Sequence, residues 1–378
     1  MRAPSKGRPA WIGRRVDGRQ QLTMTRSALA TSHWGIVSRP TESLKWPMLV
    51  RLQSNLYVAA FSIMKLLPAA YIIERAEKNG LIVPNSLVVE TTSGTFGLGL
   101  AMVCAERGYR LTLVGDVGID ATLRGRIAAL GADLRVVAEP APNGGLQKAR
   151  MDLLEVLRHE NNNAFWPAQY DNPEARHAYD ELAEMLCDRV GTIDCLVGTV
   201  GTGGSACGTG AALRSLRSDA VQVIGVDTHG SVLFGQADKP GRLLRGLGNS
   251  LMPLNVQHHV FDEIHWVNAG DAFKATQILC RKYGLYMGPT SGAAWLVADW
   301  HARKSPKSVV VAILPDEGHR YQSTVYNADW IAEKGLTRAS LPSNPLTVEN
   351  PAFAIDEWSR FAWGRRTRAE VPCAEKRA

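Results

Sequence analysis

Glycines, hydroxyls and one lysine mark where chemistry could occur along this 378-residue chain. The stretch Gly198–Gly210 reads Gly-Thr-Val-Gly-Thr-Gly-Gly-Ser-Ala-Cys-Gly-Thr-Gly. An apolar run over 193–197 enters it, and a helix-like run over 211–216 leaves it. In that order, strand, glycine turn and helix let backbone N–H groups converge on an anion at the positive end of a helix. Gly201, Thr202, Gly203, Gly204 and Ser205 supply the amides and two hydroxyls. Thr92, Ser93, Gly94 and Thr95 form a second junction, Gly288–Gly292 with Thr290 a third, and Gln169–Pro173 with His177 a fourth. Hydroxyls and amides at a helix start suit a carboxylate, although the same residue types also serve as plain caps.

Two ligands compete for the glycine turn. Gly201–Ala206 fits G-x-G-x-x-A, with Asp227 ending the next strand, which suits a dinucleotide. The compact dianion of pyridoxal 5′-phosphate suits it as well, because many donors surround one group. A glycine turn that binds nothing is the third reading. Four anion-binding junctions favour a phosphate plus an amino acid over a nicotinamide dinucleotide.

The elements that must position these residues alternate. Strands are expected at 48–52, 56–61, 86–90, 110–115, 134–137, 193–197, 221–226 and 308–314. Helices are expected at 65–78, 97–107, 121–130, 146–158, 173–187, 272–283, 293–303 and 321–334. Such alternation implies an α/β fold of mostly parallel sheets flanked by helices, in two domains. The expected parts are a basic, disordered extension over 1–45, α/β domains over 46–178 and 179–335, and a peripheral tail over 336–378. In that tail, Trp358 and Trp363 could pack against the body or against a partner subunit.

The formal charge of +7 does not describe a nucleic-acid surface. Seven basic residues up to Arg26 against Asp17 alone supply +6 of it, leaving the body nearly neutral. The basic start could be a twin-arginine or transit signal, but its glycines, prolines and polar run favour a loose extension, with Met24 as a candidate true start. Six cysteines without CxxC spacing point to reduced, cytoplasmic thiols and no metal site. No apolar run approaches the roughly 20 residues of a membrane helix.

From about Trp46 to Lys334 the chain resembles the cysteine synthase and cystathionine β-synthase family of fold-type II pyridoxal-phosphate enzymes. Ser62–Ile73, Thr92–Gly97, Ala168–Pro173, Gly201–Ser205, Arg245–Pro253, Gly288–Ala294 and Leu314–Thr324 look like the family's motifs in the family's order. The resemblance implies that Lys65 is the Schiff-base lysine, with Lys45 and Lys78 as weaker rivals. It implies that Thr92–Thr95 and Gln169 hold the substrate, that Gly201–Ser205 grip the phosphate, and that Thr290 and Thr95 face the cofactor ring. The expected reaction is β-replacement on an O-activated L-serine, with Lys65 as base at Cα. Arg245, before Gly246, stands where members using O-phosphoserine carry an arginine suited to a phosphate ester. Arg242 and His229 are secondary candidates. Thr95-Phe96 in place of Asn-Thr, with Met24–Trp34, looks most like the S-sulfocysteine branch, so thiosulfate or sulfide is the expected nucleophile. An amine giving a 2,3-diaminopropionate is the alternative, followed by a nicotinamide-dependent dehydrogenase or a partner-binding homologue of reduced activity. The family pattern implies a homodimer.

Overall fold

The structure, a computed structural model, describes residues 36–371 except 143, 144, 240 and 245. The first elements are α1 (Pro40–Leu44), β1 (Met48–Arg51), β2 (Leu56–Ala60), α2 (Leu66–Lys78), β3 (Leu87–Thr91), α3 (Thr95–Arg107), β4 (Arg110–Asp116), α4 (Ala121–Ala129) and β5 (Asp133–Val137). Next come α5 (Gly145–Glu160), α6 (Glu174–His177), α7 (Asp180–Val190), β6 (Cys195–Thr199), α8 (Gly204–Leu216), β7 (Gln222–Asp227) and β8 (Glu263–Trp266). The chain ends with α9 (Ala269–Tyr283), α10 (Pro289–Lys304), β9 (Val310–Leu314), α11 (Ala328–Glu333), β10 (Leu346–Thr347) and β11 (Ser359–Ala362).

Two sheets result. β3, β4 and β5 form a small parallel sheet, and the larger one runs β1-β2-β9-β6-β7-β8-β11-β10. Within it β2, β9, β6, β7 and β8 are parallel neighbours, while β1 and β11 pair antiparallel. The central strands β6 and β9 are buried along their whole length, as a sheet covered on both faces requires. Phe61, Leu186 and Phe261 pack one face, with Trp295, Leu296 and Trp300 on the other. From Arg39 onward the chain is one compact unit.

The strand order does not follow the sequence order. β1 and β2, read as the start of a first domain, belong to the large sheet, and β3–β5 are inserted between them and β6. The expected 173–187 helix breaks into α6 and α7, and 321–334 contains only the short α11, capped by Asn327. The expected extension over 1–45 lies outside the described residues as far as residue 35. Its last part forms α1, tied down where Thr41 N–H and hydroxyl donate to Glu106.

Of the two placements left open for the tail's tryptophans, packing against the body is the one observed. β11 and β10 complete the sheet edge, and Trp358 and Trp363 are buried in the body. Trp358 donates from Nε1 to His265 Nδ1 at 3.0 Å. His265 Nε2 then carries the hydrogen and meets Glu263 at 2.6 Å. A tail strand locked by a buried indole and an imidazole is part of the core.

Candidate active site

Parallel strands place their following loops at one end of a sheet. β2, β9 and β6 are neighbours, so the segments after them, carrying Lys65, Asp316 and Gly201, meet there. β3 of the small sheet brings Thr92–Thr95 to the same place. A cavity of about 470 Å³ opens between them.

Lys65 precedes the first turn of α2. Its loop is pinned by Phe61 N–H to Leu314 O and Met64 N–H to Pro315 O, each at 2.9 Å. Nζ lies 3.1 Å from Thr202 Oγ1. Its enclosed position penalises the ammonium and lowers the pKa to about 8, so the neutral, nucleophilic amine is within reach at physiological pH. Lys45 and Lys78 pair with Glu181 and Glu74 and do not line the cavity.

At the glycine turn, the first α8 amides receive no side-chain cap, which leaves them open to an anion. Gly201, Thr202 and Ser205 line the cavity, and Gly203 and Gly204 shape the turn behind them. Gly203 adopts φ +87°, and a Cβ there would stand 2.5 Å from Asn255 O. Only glycine fits. Uncapped amides, two hydroxyls and a lysine of lowered pKa match a phosphate and an aldehyde, so the residues present fit pyridoxal phosphate. Asp227, the ribose candidate, is fully buried and absent from the cavity wall.

The Thr92 hydroxyl is consumed within its own turn. It accepts from Gly94 and Gly97 N–H, both at 3.1 Å, and donates to Gly94 O. Ser93, Gly94 and Thr95 remain partly open on the cavity wall, while Phe96 is buried in the small-sheet core. Gln169 is buried and donates from Nε2 to Thr91 O at 3.2 Å. Thr290, at the start of α10, faces the cavity and donates to Asp316 Oδ1 at 3.3 Å. Asp316 also accepts from Tyr321 at 2.7 Å, and burial raises its pKa. Gly246 lines the cavity, whereas Arg245 lies outside the described residues.

The secondary candidates are engaged elsewhere. Arg242 lies on the rim, but its guanidinium holds Asp238 and Ser250, each at 2.7 Å. His229 turns to Ala354 O in the tail, and His177 pairs with Asp180 in the open.

The sequence reading missed Arg150. This α5 residue is 3% exposed, lines the cavity beside Gln147 and Tyr170, and pairs through Nε with Asp116 at 3.2 Å. Its Nη1 has no hydrogen-bond partner. The guanidinium also meets the Tyr170 hydroxyl, and its unsatisfied Nη1 is a buried cationic donor with unused capacity beside the cavity. The signal was present, because Arg150 falls on the apolar stripe with Leu146, Leu154 and Leu157. Among the described residues no cluster of His, Cys, Asp and Glu could hold a metal ion, and no helix is long and apolar enough to cross a membrane.

Residues 60–316 match the family model described as pyridoxal-phosphate dependent enzyme. The chain is 34% identical over 278 residues to the N-(2-amino-2-carboxyethyl)-L-glutamate synthase of Cupriavidus metallidurans, covering 72% of this chain and 81% of that protein. Among solved structures it is similar to O-ureido-L-serine synthase, at 27% identity and TM-score 0.71, covering 79% of this chain and all of that one. It is also similar to the O-acetylserine sulfhydrylase isoform 3 of Entamoeba histolytica, at 27% identity and TM-score 0.70, covering 81% of this chain and 98% of that one.

Proposed function

This chain belongs to the family of pyridoxal-phosphate dependent enzymes, and we propose that it joins the amino group of an amino acid to Cβ of an O-activated L-serine. L-Glutamate is the proposed amine and O-phospho-L-serine the proposed ester. The observation that carries the reading is one cavity walled by Lys65 Nζ at 3.1 Å from Thr202 and by Arg150, whose buried Nη1 has no hydrogen-bond partner. The relative that makes N-(2-amino-2-carboxyethyl)-L-glutamate moves an amine ahead of sulfide and thiosulfate as nucleophile.

Bound pyridoxal phosphate supplies an electron sink that acidifies the Cα–H of an attached amino acid. Gly201–Ser205 would hold its phosphate, Lys65 its aldehyde, and Thr290, backed by Asp316, its ring. The Ser93 and Thr95 amides would hold the substrate carboxylate at the start of α3, where Thr92 already takes the Gly94 and Gly97 N–H groups. Lys65, once displaced by the substrate amine, would take the Cα proton. The Arg150 guanidinium would take the anionic leaving group, which favours a phosphate ester over a neutral acetate ester.

The test offers O-phospho-L-serine and O-acetyl-L-serine in turn with L-glutamate, sulfide and thiosulfate, and identifies products by mass spectrometry. The expected product is the glutamate adduct from the phosphate ester. Products with sulfide or thiosulfate alone would restore the sulfur reading. No product from either ester would leave a homologue of reduced activity.

A further inference from the structure

Glu90 never reaches the cavity. It is fully buried in β3, one residue before Thr91, yet its carboxylate joins two cavity walls. Oε1 accepts from Thr91 N–H at 2.7 Å and Trp166 Nε1–H at 3.1 Å. Oε2 accepts from Gln169 N–H at 3.1 Å, and the Ala168 amide is turned to the same group. Burial raises the pKa of Glu90 to about 7 against the pull of these donors, so the group is a carboxylate above that pH. Gln169 returns the contact through Nε2 to Thr91 O.

The second wall is held in a costly shape. Ala168 has φ +52°, a region its Cβ disfavours. Asp171 and Asn172 N–H close the turn on Ala168 O at 3.0 and 2.8 Å. The result directs the Ala168 and Gln169 amides at one point, and Glu90 occupies it. A carboxylate has two oxygens and lone pairs for all four donors; a carboxamide has one oxygen and would turn an NH₂ against the rest.

We propose that Glu90 is a positioning residue for substrate binding: it fixes Gln169 and the Thr92–Thr95 turn in one register, so affinity for the serine ester depends on a side chain that never touches it. This rests on the reading that those two walls hold the substrate. A purely structural carboxylate would lower stability and leave affinity alone.

Steady-state kinetics of the cofactor-loaded enzyme with both serine esters, run above the pH at which Glu90 ionises and beside thermal unfolding, test it. Glu90→Gln is expected to raise KM about tenfold, through the loss of charge-assisted bonds, with a smaller change in kcat. The rise should be equal for O-phospho-L-serine and O-acetyl-L-serine, since both carry the same carboxylate. Adding Ala168→Gly should restore part of the affinity, because glycine adopts the positive φ without help. Glu90→Asp, which keeps the charge but withdraws it from Gln169, should fall between and covers the case where Glu90→Gln does not fold. Unchanged KM in both Glu90 variants, with only a lowered Tm, overturns the proposal. Gln169→Ala separates the two readings. If it too leaves KM unchanged, the substrate wall itself is wrong; if it raises KM while the Glu90 variants do not, only the role of Glu90 is lost.

Discussion

Replacing Arg150 tests the leaving-group assignment directly. Arg150→Gln removes a guanidinium whose Nη1 has no protein partner and whose Nε meets Asp116 at 3.2 Å. A phosphate ester taking two charge-assisted bonds from it would lose about 3 kcal/mol, or roughly 150-fold in kcat/KM. An acetate ester offers no charge and should lose less than about fivefold. The substitution also takes the Arg150 charge from Asp116, in a pair whose side chains are 4% and 8% exposed, while Gly118 N–H still donates to Asp116 at 2.8 Å; breaking such a buried pair costs up to about 3–5 kcal/mol of stability. The double variant Arg150→Gln/Asp116→Asn removes that carboxylate charge while keeping the guanidinium absent. The assay is kcat/KM for each ester at saturating glutamate, for wild type and both variants, with unfolding midpoints alongside. Equal losses on both esters in the double variant would refute the assignment and return attention to Arg245.

Three further outcomes follow from the geometry. With Lys65 lowered to about 8 and its unfolded value near 10.5, the unfolded chain binds the extra proton between those values. Stability of the cofactor-free protein should therefore rise with pH across that window, and Lys65→Met should flatten the rise in denaturant midpoints taken at pH 8, 9 and 10. Gly203→Ala places a Cβ 2.5 Å from Asn255 O at φ +87°; retention of cofactor after dialysis should drop sharply, with stability reduced by about 1–3 kcal/mol. Trp358→Ala, deep in the tail, should cost about 3–5 kcal/mol in equilibrium unfolding; a change within noise would show the tail to be peripheral after all.

What the sequence disclosed was local. The Gly201–Ser205 turn and Lys65 stand out because strand, loop and helix are contiguous, although the turn by itself suits a dinucleotide as well as pyridoxal phosphate. Arg150, Glu90 and Asp316 are not local. Each acts through partners distant in sequence: Glu90 meets Gln169 across 79 residues and Asp316 meets Thr290 across 26. Pattern alone shows a charge on an apolar stripe or at a strand end without saying what faces it. The strand order was equally hidden, since β2 pairs with β9 only after the β3–β5 sheet is inserted between them in sequence. Trp358 and Trp363 looked ambiguous because the strand they flank, β11, has four residues and carries almost no periodic signal.

Choosing an amine over a sulfur anion changes what Lys65 must do. Thiosulfate reaches Cβ already unprotonated and sheds nothing, so Lys65, having passed the Cα proton to the departing phosphate, takes from water the one it returns to Cα. An amino acid arrives as an ammonium and must shed a proton to attack. The phosphate of a dianionic ester departs with one further negative charge, takes the first proton from Lys65 Nζ and leaves as the hydrogen phosphate dianion. Lys65 Nζ is then free to take one from the incoming amine and return it to Cα, so protons balance across both halves. The two nucleophiles should consequently separate in pH. Below the pKa of the amine, kcat/KM for glutamate should climb about tenfold per pH unit, while kcat/KM for thiosulfate, where any turnover exists, stays nearly level. Measured with the serine ester saturating, coincident profiles would show that both nucleophiles share one rate-limiting protonation, and the amine-specific role of Lys65 would fall.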